Sequence, residues 1–166
     1  MKTVRLQARV GVVVTAMALL LQMSPVAHAA SRGGDKSSIE VTFTKWITDF
    51  STFPSLPVLG TVGGDAGTGD LGGNALITPI AHDRILKIGV TYEVSGTDQN
   101  FIAEVHGTQN NKTHRAVLNG VVIEGALTGA RVHVEYDEIP CVDVVGAPPE
   151  ALVCFQGTIR VLQGGR

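Results

Sequence analysis

The side chains best suited to chemistry are acids and histidines that alternate along two predicted strands. Glu104 and His106 are two residues apart, and His133 lies between Arg131 and Glu135. Residues two apart in a strand share a face, so each set could supply a general acid and base for proton transfer. These polar faces alternate with apolar ones, which is typical of a solvated outer surface. A catalytic role requires the polar faces to line a wet cavity instead.

A glycine-rich stretch, GGDAGTGDLGG at residues 63–73, raises the question of a nucleotide site. Gly67, Gly69 and Gly72 follow the spacing G-x-G-x-x-G. In dinucleotide-binding proteins these glycines connect a strand to a helix whose N-terminus holds the pyrophosphate. Here a strand-like run that ends at Pro79 follows instead of a helix. The sequence therefore predicts a turn and a strand entry, and it indicates no cofactor.

Two acids of the same stretch, Asp65 and Asp70, could instead bind calcium, which prefers hard oxygen ligands. The stretch departs from the calcium-binding repeat G-G-x-G-x-D-x-U-x, because Ala66 and Thr68 stand where Gly and Asp are needed. The stretch also occurs once, not as a repeat. We expect a plain turn, with calcium binding as the alternative.

The only two cysteines, Cys141 and Cys154, enclose a loop that contains Pro148 and Pro149. Exported proteins form and keep disulfides, and two cysteines without a neighbouring histidine do not make a zinc site. The sequence therefore predicts one structural disulfide and no metal centre.

Aromatic residues concentrate in the segment 46–60, which precedes the glycine-rich stretch. In a barrel such a segment either plugs one end or lines the mouth of a ligand cavity. The second alternative makes Trp46, Phe50, Phe53 and Tyr92 the expected ligand-binding residues.

The elements that would position these groups show a period of two residues, which predicts strands. Strands are expected at residues 39–43, 71–78, 86–94, 101–105, 116–124, 130–137 and 155–162. The segment 116–124 could be one bent strand or two short ones, and 44–50 could form one helical turn. Many short strands with frequent turns predict an all-β fold, either an antiparallel calycin-like barrel or a sandwich, of seven to eight strands.

The beginning of the chain has the pattern of a secretory signal peptide. Lys2, Arg5 and Arg9 precede an apolar run that is too short to span a membrane, and Ala27-His28-Ala29 forms a small-x-small cleavage site. We expect a signal peptide at 1–29, with an uncleaved anchor as the alternative. The rest is predicted to be a flexible arm at 30–37 and a single β domain at 38–166, in which the disulfide closes the loop 141–154.

Cleavage would leave an acidic protein outside the cytoplasm, extracellular or periplasmic. The 13 basic residues less the three of the signal peptide leave ten, against 15 acidic residues, so the net charge is −5. Nucleic acids and anionic membranes select positive surfaces, so neither is an expected partner. Asn111-Lys112-Thr113 fits the acceptor pattern for N-glycosylation, which matters where the host glycosylates secreted proteins.

Two late runs, NGVVIEGALTGARVHVEY at 119–136 and CFQGTIRVL at 154–162, resemble the allene oxide cyclase and dirigent type of β-barrel. The resemblance implies a barrel with a hydrophobic cavity. It also implies a function as a cyclase or as a protein that steers the coupling of reactive small molecules. It assigns no functional residue to a position in this sequence.

Three functions follow from these patterns. The first is non-catalytic binding of a small apolar or amphipathic molecule. The second is a cyclase or isomerase in a similar barrel, with Glu104, His106 or His133 as proton carriers. The third is a structural or oligomeric surface protein, possible as a homo-oligomer.

Overall fold

The computed structural model describes residues 38–80, 82 and 84–162. Eight strands follow one another along this part of the chain. Their bounds are β1 Ser38–Ile47, β2 Ser55–Gly64, β3 Gly69–Ile80, β4 Ile85–Gly96, β5 Asn100–Asn110, β6 Arg115–Gly125, β7 Arg131–Ile139 and β8 Val153–Leu162.

Each strand pairs antiparallel with the next, and β8 pairs antiparallel with β1, so the sheet closes into a barrel. The closing register runs from Ser38 opposite Leu162 to Ile47 opposite Val153. This confirms the all-β antiparallel fold and decides between the two expected architectures in favour of the barrel. Closure satisfies the backbone groups that an open sheet would leave unpaired at its edges.

The alternation of apolar and polar residues explains which way each strand faces. Val41 and Phe43 of β1, and Val132 and Val134 of β7, point inward and are almost completely buried. The polar residues between them lie on the outer wall. Burying these apolar side chains stabilises the fold by roughly 25 cal/mol per Å² removed from water.

Two expectations about the first aromatic segment are wrong. The helical turn expected at 44–50 does not form, because β1 continues to Ile47. The segment 46–60 does not plug the barrel. It forms the end of β1, a loop and the first half of β2, a strand that the period-two pattern did not reveal. Alternation in β2 is obscured by a proline and glycines, although Leu56 and Val58 are buried in the core.

Cys141 and Cys154 form the predicted disulfide, with their Cα atoms 5.1 Å apart. A short 3₁₀ helix at Cys141–Asp143 follows β7. Beyond it, the loop folds over the outer wall, where Val144 packs with Trp46 and Cys154 in a small apolar cluster separate from the core. The disulfide therefore holds this loop against the outside of β1 and β8.

The expected signal peptide at 1–29 and arm at 30–37 lie outside the described residues. Within the described part, no helix has the length and apolar character needed to cross a membrane.

Inward-facing glycines let neighbouring strands approach closely. A Cβ atom built on Gly157 would lie 2.1 Å from the Glu135 carbonyl oxygen and 2.6 Å from Tyr136 Cβ. Neither atom can move without shifting the backbone of β7. Gly157 is therefore required by the close packing of β7 and β8.

We predict that Gly157→Ala lowers the free energy of unfolding by about 1–3 kcal/mol, the usual cost of overpacking. Gly72→Ala is the matched control, because its Cβ would have nothing nearer than Glu93 side-chain atoms at 3.8 Å, and it should change stability by less than about 0.5 kcal/mol. Urea unfolding of both variants gives the comparison. Equal stability of the two variants would contradict the close approach of β7 and β8.

Candidate functional site

Among the residues that the structure describes, Lys45 of β1 is the one buried lysine, arginine, aspartate or glutamate. Lys45 follows Val41 and Phe43 at intervals of two residues, so it shares their inward face. Its side chain is only 4% exposed. Lysine is almost never fully buried without a partner, so its surroundings identify it as a candidate functional group.

Four aromatic rings surround the Lys45 amine. Nζ lies 3.6 Å from the ring centre of Tyr136, 5.0 Å from those of Tyr92 and Phe155, and 5.7 Å from that of Phe43. It also donates a hydrogen bond of 2.5 Å to the Tyr92 hydroxyl oxygen. We call these five residues the Lys45 cluster. The strands that supply them are β1, β4, β7 and β8, from around the barrel.

The cluster gives the amine a hydrogen bond and ring faces, but no opposite charge. Among the ion pairs formed by the described residues, none involves Lys45. Burial lowers the pKa of Lys45 well below its usual value, because the charged form loses its hydration. The electron-rich ring faces favour the ammonium form and act in the opposite direction.

Both tyrosines of the cluster remain protonated over a wide pH range. Burial raises the pKa of Tyr92 well above its usual value, and a negative charge on Tyr136 would raise it further. Burial also raises the pKa of Tyr136. The cluster therefore places an amine whose pKa is lowered by burial next to a phenol hydroxyl whose pKa is raised by burial.

Sequence analysis did not identify Lys45, although a signal was present. The alternation that places Val41 and Phe43 in the core also places Lys45 there. A cation at an inward position of a strand was the feature to notice.

Glu104 and His106 lie on the outer wall, as their polar face indicated. Their side chains are mostly exposed, and Glu104 Oε1 is 3.3 Å from His106 Nε2. They line a groove of about 450 Å³ on β3, β4 and β5, together with Leu76 and Lys87. Exposure to water limits what such a pair contributes to catalysis.

His106 of β5 and His133 of β7 lie on the two strands that flank β6, and Asn119 of β6 pairs with both residues across the sheet. Its ring nitrogens face Asn119 Oδ1 at 2.8 Å and Glu135 Oε1 at 3.1 Å. The hydrogen bond from His133, and then that from Arg115, hold the pKa of Glu135 below its usual value. These contacts occupy the His133 ring within a surface network.

The four expected ligand-binding residues do not come together. Tyr92 is completely buried in the core, and Trp46 lies on the outer wall beneath the disulfide loop. Phe50 and Phe53 are exposed in the loop between β1 and β2. Of these four residues, Trp46 borders an open groove and Tyr92 belongs to the Lys45 cluster.

The groove beside Trp46, here the Trp46 groove, has a volume of about 460 Å³ and crosses the outer wall from β1 to β4. Leu59, which is 51% exposed, adds apolar surface. On the other side lie Asp70 and Glu93, which are exposed carboxylates. The volume falls within the range of small-molecule sites.

The two acids considered for calcium have separate roles. Asp65, in the turn after β2, accepts a hydrogen bond of 2.8 Å from the Glu40 backbone N–H. Asp70 lies in the Trp46 groove. In the described part of the chain, no group of three or more His, Cys, Asp or Glu residues could hold a metal ion.

Apolar side chains also project from the outer face of β6. Val117, Val121 and Ile123 are each about two fifths exposed. Such a surface is compatible with the structural or oligomeric alternative, which stays a prediction.

No known protein-family model matches the chain, and no curated protein matches its sequence. The resemblance to allene oxide cyclase and dirigent barrels therefore stays a prediction from the strand and glycine pattern. The barrel itself is observed.

We predict that Lys45 makes the stability of the protein depend on pH. Below about pH 10.4 an unfolded lysine binds a proton, whereas burial opposes that binding in the folded protein. The unfolded state then binds more protons, so the free energy of unfolding rises with pH. Relative to Lys45→Met, the wild type should gain up to about 1.4 kcal/mol per pH unit between the lowered pKa of folded Lys45 and about pH 10.4.

Urea unfolding of both proteins across this range provides the measurement. Tyr92 and Tyr136 are present in both proteins, so their contributions cancel in the difference. Parallel stability curves would mean that Lys45 is protonated in the folded state.

Proposed function

We propose that this protein is a secreted, non-catalytic β-barrel that binds a small amphipathic molecule carrying a basic group. The observation that supports this proposal is the Trp46 groove, where apolar surface and carboxylates lie on opposite sides of one depression. An amphipathic molecule has an apolar part and a charged part, and this groove offers a surface for each.

The apolar side of the groove suits a flat or chain-like hydrophobic group. Leu59 exposes half of its surface, and it pairs across the strands with Trp46, of which 8% is exposed. Gly60 and Gly72 contribute backbone without side chains, and a Cβ on Gly72 would have no neighbour within 3.4 Å. A ligand can therefore approach the strand backbone there.

The polar side of the groove favours a positive charge. Asp70 and Glu93 are carboxylates, and Ser95 adds a hydroxyl group. The expected mature chain carries a net charge of −5, which would attract cations over a longer range. An anionic ligand would meet repulsion from both carboxylates.

Secretion is the part of the proposal that depends on the leader sequence and the disulfide. The signal-peptide pattern predicts export, and the Cys141–Cys154 bridge is suited to an oxidising compartment. Binding in that compartment would give the barrel access to extracellular or periplasmic small molecules.

A proton-transfer enzyme of the cyclase or isomerase type is the second candidate. The contact between Glu104 and His106 in the neighbouring groove favours it. In that case the affinity for a ligand should depend on Glu104 instead of Glu93.

The binding proposal predicts that octylamine binds the protein and that octanoate, with the same chain and the opposite charge, does not. Calorimetric titration at neutral pH measures both affinities. Trp46 is the only tryptophan of the chain, so a change in its emission would locate the amine in the Trp46 groove. Glu93→Gln should raise Kd for octylamine by up to about fivefold, since one exposed ion pair is worth at most about 1 kcal/mol.

Glu104→Gln is the matched control, because it removes an exposed carboxylate from the neighbouring groove. It should leave the octylamine affinity unchanged. Equal binding of octanoate, or a loss of affinity in Glu104→Gln instead of Glu93→Gln, would contradict this location.

A further inference from the structure

The Lys45 cluster lies inside the barrel, whereas both grooves lie on its outer wall, so its chemistry is independent of the ligand proposed for the Trp46 groove. Lys45 Nζ is within hydrogen-bond distance of the Tyr92 hydroxyl and stacks over the face of Tyr136. A lysine with a purely structural role needs only a hydrogen-bond partner for its amine. Here that partner is a hydroxyl group, which can also exchange protons.

An amine attacks a carbonyl carbon only through its free electron pair. A lysine side chain in water is an ammonium ion at neutral pH. Lys45 is buried, whereas Lys87 and Lys112 are exposed. Apolar surroundings favour the neutral amine, and enzymes activate lysine nucleophiles in this way. Burial of Lys45 in the core provides such surroundings, and it acts against the attraction of the four ring faces for the ammonium form.

We propose that Lys45 is a covalent capture site for compact aldehydes and ketones, with Tyr92 as the proton donor. Nζ forms a bond to the carbonyl carbon, and the carbonyl oxygen accepts a proton. The resulting carbinolamine loses that oxygen as water, and a C=N bond replaces the C=O bond. The two hydrogens of the water come, in net terms, from the amine, so the step needs no oxidant or reductant.

The Tyr92 hydroxyl is placed to assist the loss of water. It lies 2.5 Å from Nζ, so an oxygen on the carbon attached to Nζ would be within its reach. Because burial raises its pKa, Tyr92 keeps its proton where the amine is neutral. It can protonate the departing oxygen and recover a proton from nitrogen.

The walls of the cluster set the class of carbonyl compound. Phe43, Tyr136 and Phe155 present ring faces and are almost fully buried, which favours apolar molecules over hydrated ones. A reactant reaches the amine through local opening of the barrel. Propanal should therefore react faster than a bulky aromatic aldehyde.

The test is reductive trapping of the full-length mature protein with propanal and cyanoborohydride at neutral pH, followed by peptide mass mapping. Lys45 should be propylated at least about tenfold faster than the exposed Lys87 and Lys112, because its own amine is desolvated and has a lowered pKa. The α-amino group, with a pKa of about 8, is an internal control for the reagent. The preference should disappear in the urea-denatured protein, where all lysines are equivalent.

Two variants distinguish the effect of the Tyr92 hydroxyl from the accessibility of the Lys45 amine. Tyr92→Phe keeps the ring and removes the hydroxyl, and it should slow labelling of Lys45 severalfold without changing Lys87. Lys45→Met should lose the labelled peptide while the other sites react as before. Labelling of Lys45 that is no faster than that of Lys87 in the folded protein, or equal labelling in Tyr92→Phe, would overturn the proposal.

Discussion

Exclusion of water from the Lys45 amine is the constraint on which the interior of this barrel depends. Closure of β1 against β8 places Lys45 inside, with one hydrogen bond and four aromatic faces in place of its hydration shell. An isolated buried charge is costly, and proteins commonly respond by shifting the pKa until the group is neutral. The inward aromatic residues of β4, β7 and β8 act on the amine in two opposite ways, because they exclude water from it and also present ring faces that attract its ammonium form.

The interior and the outer wall offer different chemistry. Inside, Lys45 and Tyr92 are shielded from water, so their electrostatic interactions are strong. Outside, Glu104 and His106 are exposed and His133 is half-buried, and all three form pairs or networks with neighbouring polar groups. The proposed binding of an amphipathic molecule uses the outer wall, and the proposed reaction with a small carbonyl compound uses the interior. The two proposals depend on different residues and can be tested separately.

Much of the fold could be predicted from sequence because most strands alternate cleanly between apolar and polar residues. The disulfide could be predicted as well, since only two cysteines are present. Strand β2 was missed because Pro57 and its glycines interrupt the alternation. The candidate site was missed for a different reason: the role of Lys45 depends on rings from Tyr92, Tyr136 and Phe155, which are far apart in sequence. Only the closed sheet brings them together.

The most direct test of this account is an NMR titration of the lysine side-chain amines in selectively labelled protein. The resonance that disappears in Lys45→Met identifies the buried amine. We predict that this resonance titrates well below the usual lysine pKa of about 10.4. A Lys45 amine that stays protonated up to about pH 10.4 would contradict a neutral amine in the core.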